Sequence, residues 1–99
     1  MDVLQELRNL VAEDPTRRNR ICLYVNADGT PSCIIGHLAA RLGWPLPDFH
    51  SAGNRGRPKD VWPGRASDED FERLLLVQAK ADQGQTWADA IDGLLESPA

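Results

Sequence analysis

The sequence predicts a mainly helical α+β fold, about four helices with one short β-hairpin, and three observations lead there. Apolar residues recur at helical spacing near both ends of the chain. Around residue 21 that spacing gives way to strict alternation followed by an Asp-Gly turn, the mark of a strand entering a hairpin. The length of 99 residues, 41% of them hydrophobic, suffices for one core, so residues 1–99 read as a single small domain.

In "DVLQELRNLVAED", Val3, Leu4, Leu7, Leu10 and Val11 share one helical face, Asp2 stands at the cap position and Asp14-Pro15 stops the run. A polar connection leads to "ICLYV", where Ile21, Leu23 and Val25 alternate with Cys22 and Tyr24. The turn "NADGTP" and a very short second strand at about residues 30–33 complete the expected hairpin. A lone hairpin is marginal in water, so helices must cover one of its faces. Ser32 is placed to cap a helix starting at Cys33, with Ile34, Ile35, Leu38, Ala39 and Leu42 on its apolar side and Gly43 at its end. Gly36 in its first turn costs roughly 1 kcal/mol against alanine, which points to a close backbone approach. The segment "WPLPDFH" reads as extended, laying Trp44, Leu46 and Phe49 across the core.

Residues 50–66 have glycine and proline throughout and no periodicity, and read as a long loop, either mobile or pinned by Trp62. Ser67 and Asp70 then form a capping-box pattern ahead of the clearest helix, with Phe71, Leu74, Leu75, Gln78 and Ala79 on its expected buried face and Gly84 at its close. Thr86 caps a last helix through about Leu95, expected to bury Trp87, Ala90, Ile91 and Leu94, and the short connection makes the two an antiparallel pair.

No apolar run approaches the roughly 18 residues of a membrane span. The amino terminus is acidic and amphipathic, unlike a secretory signal. Two cysteines are too few to staple a small secreted scaffold, so the expected compartment is a reducing cytoplasm, although Cys22 and Cys33 remain able to pair across the hairpin. The net charge of −4 speaks against a simple nucleic-acid clamp. It is segregated: residues 1–14 carry −3, residues 15–66 carry +5 and residues 67–99 carry −6. Either the acidic ends neutralise the basic middle within the fold, or the middle faces a partner.

Four constellations bear on function. Cys33 at a helix amino terminus with His37 one turn on is the minimal pair for a thiol nucleophile, against the alternative of a small buried hydrophobe. Cys22, Cys33, His37 and His50 have the chemistry of a zinc site, although only the Cys33/His37 pair has a familiar ligand spacing. Arg17, Arg18 and Arg20, with Arg55, Arg57, Lys59 and Arg65, form two basic stretches that fit either a solvated surface or a nucleic-acid patch with Trp62 as a stacking residue. Of the tryptophans, Trp87 reads as core and Trp44 as a bridge from core to loop. Trp62, in its basic Gly/Pro-rich surroundings, reads as an exposed anchor for another protein. No phosphate-binding glycine loop, nucleophile elbow, paired-carboxylate motif or HExxH stands in the sequence.

The stretch "ICLYVNADGTPSCIIGHLAARLGWPL" resembles a group of small uncharacterised proteins of actinobacteria and their phages, whose signature is Pro-Ser-Cys, an aliphatic pair, Gly-His and a helix ending in Leu-Gly. The later "LLLVQAKADQGQTWADAI" is similar to their carboxy-terminal half. The likeness covers roughly residues 20–46 and 74–91, and Pro31, Ser32, Cys33, Gly36 and Trp87 are the matching positions. It implies no activity. The expectation is a cytoplasmic accessory protein without enzymatic activity or cofactor that binds a host or phage protein through Trp62, Arg55, Arg57, Lys59 and Arg65. Nucleic acid is the lesser partner class, and a homodimer covering exposed tryptophan is a further option.

Overall fold

The computed structural model describes residues 2–20 and 23–92. Its first helix, α1 (Val3–Glu13), forms as its spacing dictates: Asp2 accepts hydrogen bonds from the amides of Leu4 and Gln5 at 3.1 and 3.3 Å, and all five predicted apolar positions are buried. The proline at 15 disfavours helical geometry at Asp14, where α1 ends.

The expected β-hairpin is absent, and the described residues are all-α. What remains of it is one antiparallel bridge between Val25 and Pro31, with Asn26 N–H donating to the Thr30 carbonyl and Ser32 N–H to that of Tyr24. The ladder stops there because by Cys33 the chain has already turned into the next helix. On the other strand the backbone groups go elsewhere: Asn54 accepts Val25 N–H on its side chain at 2.9 Å and Tyr24 N–H on its carbonyl. Tyr24 and Val25 are both fully buried, so the alternation in the sequence does not mark two faces. Ile21 and Cys22 lie outside the described residues.

Helix α2 (Ile34–Leu42) is capped by Cys33, one residue beyond the expected Ser32, and the thiol accepts the Gly36 amide at 3.3 Å. Ser32 is left with a buried hydroxyl that has no partner among the described residues. Gly36 meets the backbone of Tyr24 so closely that a Cβ there would sit 2.0 Å from the Tyr24 carbonyl oxygen. Gly43, at φ +75°, ends the helix in the left-handed conformation that glycine permits.

Residues 50–66 are not an unpatterned loop. They hold a 3₁₀ turn (Ala52–Arg55) and the short helix α3 (Pro58–Val61), with proline at its first position. Asn54 is 1% exposed and also donates to the carbonyls of Val25 and Phe49, which ties the turn into the core. Trp62 pins the far side, its indole N–H donating to the Pro45 carbonyl at 2.6 Å.

Helix α4 (Asp68–Asp82) starts from Ser67, whose hydroxyl accepts the Asp70 amide. It buries Phe71, Leu74, Val77 and Ala81, a phase rotated from the expected one, so Leu75 and Ala79 face out. Helix α5 (Trp87–Ile91) is capped by Thr86 as expected, while Leu94 and Leu95 lie outside the described residues. Its first amides are taken by the chain leaving α1: Trp87 N–H donates to the Arg17 carbonyl at 2.7 Å and Ala88 N–H to that of Pro15 at 3.0 Å. Asn19 binds three elements at once. It donates to Asp82 at the end of α4 and accepts the Ile34 amide of α2 and the Trp87 indole N–H of α5, all within 2.9 Å. The core inside this frame contains Leu7, Ile35, Leu38, Leu74 and all three tryptophans.

Candidate functional site

Cys33 is 1% exposed, and its thiol is a free one. Burial pushes its pKa up to about 12, against the smaller opposing effect of the amides of Gly36 and Ile35. The helix terminus does stabilise thiolate, but desolvation outweighs it, so at neutral pH the group is a buried thiol serving as a cap. His37 does not complete a catalytic pair. Its ring lies edge-on to Trp87 at 5.3 Å and its Nε2 is buried without a partner among the described residues. Burial, and then the Arg17 guanidinium stacked 5.0 Å over the same indole, hold the imidazole pKa below its usual value. His50 is exposed, with its ring against Phe49. Among the described residues no three of His, Cys, Asp and Glu gather as a metal ion would need. Cys22, the fourth proposed zinc ligand, lies outside them.

Trp62 is not an exposed anchor. It is 1% exposed, packed edge-on against Tyr24 at 4.8 Å and tilted against Trp44 at 5.6 Å. A Gly/Pro-rich loop bends back on itself readily, and a large ring within it gains more by turning inward than by staying in water. Arg65 is exposed but stands apart from the site described next.

Arg55, Arg57 and Lys59 do come together. With Trp62 drawn inward, the segment 55–60 stands as a wall beside α4. Between them runs an open groove with a compartment of about 490 Å³ and a neighbouring one of about 250 Å³, with Arg57 and Leu75 lining both. The loop wall carries the three basic side chains. The helix wall carries Asp68, Glu72 and Asp82, with Phe71 and Leu75 between. Lys59 reaches Asp68 across the groove at 3.1 Å, and Arg57 folds onto Asp60 on its own wall at 2.9 Å. Both pairs are well exposed and therefore weak, so an incoming charged group can exchange with either. Arg55 and Glu72 have no ion-pair partner among the described residues. Elsewhere Arg41 of the basic middle bridges Glu6 at 3.0 Å and Glu13 at 2.6 Å within the fold.

Leu75 is the groove residue that periodicity assigned to the core. The run Leu74-Leu75-Leu76-Val77 contained the signal: four consecutive helical residues span about 300° of the helix circumference, so they cannot all face one core. Leu75 and Leu76 are 40% and 52% exposed. Comparison with known proteins finds no matching family model, no similar curated protein and no matching solved structure. No helix among the described residues is long and apolar enough to cross a membrane.

Proposed function

We propose that the protein is a non-enzymatic binding domain that takes a short amphipathic segment of a partner protein into the groove between residues 55–60 and α4. The supporting observation is the pairing of a basic wall with an acidic one over the apolar strip of Phe71 and Leu75. A segment with one or two apolar side chains, acidic on one edge and basic on the other, satisfies both walls at once. Electrostatic complementarity of this kind selects the orientation and the partner more than it adds raw affinity. A nucleic acid would meet Asp68, Glu72 and Asp82 as well as the arginines, which disfavours it. The resemblance to small phage proteins makes a host or phage protein in the cytoplasm the class from which the partner comes.

Selection of random displayed peptides on the folded protein tests the groove directly. The expected peptides carry an apolar centre with acids on one side and bases on the other, and lose at least tenfold in affinity for Leu75→Glu and for Arg55→Glu with Arg57→Glu. Selected peptides that bind Leu75→Glu as well as they bind the wild type overturn the groove.

A further inference from the structure

His37 is a titratable ring built into the joint between three elements. It stands on α2, half-buried and edge-on to Trp87 at the start of α5, and its Nε2 is buried without a partner among the described residues. The same indole carries the Arg17 guanidinium, 5.0 Å from its centre, on the segment leaving α1. An imidazolium here would carry N–H on both ring nitrogens, Nε2 included, away from water and beside a cation that already occupies the indole. The other charges nearby do not relieve this. Asp14, which favours protonation, acts on the ring less than Arg17, which opposes it, and Asp14 is itself paired with Arg17 at 3.8 Å. Along α2, Arg41 stands one turn on and is held by Glu6 and Glu13 of α1, while Cys33, one turn back, carries a neutral thiol. The charged residue of α5 is Asp89, two positions from Trp87 and so about 200° around that helix from the indole.

The part of this joint able to yield is α5. A helix of five residues does not hold itself together. It is kept in place by Trp87 N–H on the Arg17 carbonyl, Ala88 N–H on the Pro15 carbonyl and the Trp87 indole N–H on Asn19, all converging on residues 15–19. Trp87 supplies two of the three bonds and is also the residue against the His37 ring. We infer that this corner is an acid-sensitive latch, in which protonation of His37 frees α5 from residues 15–19 while α1, α2 and α4 stay packed around Leu7, Ile35, Leu38 and Leu74. Once α5 has swung away, the ring is in water and binds a proton in the ordinary histidine range, around pH 6.5. Docked, it binds one only at lower pH, because burial and then Arg17 oppose the charge. Acidification below about pH 6.5 therefore favours the released form, by up to roughly tenfold for each pH unit until the docked ring is protonated too. Exposing the Trp87 ring keeps the released form a minor one, and acid raises its share.

Amide hydrogen exchange of the full chain between about pH 7.5 and about pH 5, read by NMR and corrected for the intrinsic pH dependence of exchange, tests this. The Trp87 and Ala88 amides are expected to be on the order of tenfold or more less protected than those of Leu74 and Val77, which are buried in α4. On acidification they are expected to lose a further factor of roughly three to ten. His37→Gln, shown to be folded by circular dichroism, keeps the first difference and abolishes the second. Trp87 and Ala88 amides as protected as those of α4 overturn the inference, because α5 then opens only with the whole fold. So does a loss on acidification that persists in His37→Gln. Where that variant folds poorly, the wild type still decides: a His37 ring whose carbon-bound protons titrate at or above about pH 6.5 removes the driving force of the latch.

Discussion

Replacing Gly36 with alanine probes the tightest point in the fold. On an ordinary exposed helix this change stabilises by about 1 kcal/mol through helix propensity. Here the new Cβ would lie 2.0 Å from the Tyr24 carbonyl oxygen and 2.9 Å from the carbonyl carbon, both backbone atoms that cannot rotate away. Relief requires α2 and residue 24 to separate by more than an ångström. That strains the Ser32 N–H bond to the same carbonyl, worth about 1 kcal/mol, and overpacks a filled interior at a cost of about 1–3 kcal/mol. Set against the propensity gain, the net loss is about 2 kcal/mol, or roughly 8–16 °C in Tm for a domain of this size. Urea unfolding followed by tryptophan fluorescence measures it, since all three indoles are buried. Gly29→Ala is the control: at φ +84° with open space around it, it bears only a conformational cost of about 1 kcal/mol. A Gly36→Ala protein as stable as the wild type, or more so, refutes the close approach of α2 to the turn.

Three further outcomes are expected. In a Cys22→Ser background, Cys33 reacts with iodoacetamide only as fast as the protein unfolds. Because its folded pKa is raised to about 12, the stability it contributes is full below about pH 8.5 and is lost as pH rises towards 12. His37 has the opposite sense. Its folded pKa is depressed, so the unfolded chain takes the proton first; its contribution is full above about pH 6.5 and declines on acidification below that, and His37→Gln flattens this slope in urea titrations across pH 4–8. Trp62→Ala costs about 3–5 kcal/mol as a core truncation, whereas Trp62→Phe keeps most of the packing and leaves the Pro45 carbonyl without its donor, and denaturant midpoints separate the two.

Helices α1, α2, α4 and α5 were legible because each carries its own local evidence, whereas α3 lies in the stretch that reads as a loop. Asp2, Ser67 and Thr86 cap as their types predict, and the period of α1 matches its buried face residue for residue. The hairpin is not legible locally because alternation in "ICLYV" and an Asp-Gly turn are local signals, while the outward backbone groups of Val25 are taken by Asn54, some thirty residues away, and the chain enters α2 after a single bridge. The same non-locality hid the site. Arg55, Arg57 and Lys59 were visible as charges, but Trp62 was placed outside because nothing near it in the sequence names the carbonyl of Pro45 as its partner. The rotated phase of α4 follows from its run of four apolar residues, which leaves the buried face undetermined until neighbouring helices choose it.

The docking of α5 onto the segment leaving α1 has a consequence for how the molecule holds together when cut. The bonds from Trp87 and Ala88 to the carbonyls of Arg17 and Pro15 join points some seventy residues apart, and Asn19 adds a second tie to the same corner. The exposed turn at Ala27–Gly29 is the natural place for a protease to nick the chain. A break there severs no connection between the halves except the peptide bond itself, since α1 remains clasped by α2 and α5. Residues 1–28 and 29–99 meet through these bonds and through those of Tyr24 and Val25 to Asn54, so a chain nicked in the turn is expected to stay in one piece under native conditions, as native mass spectrometry would show.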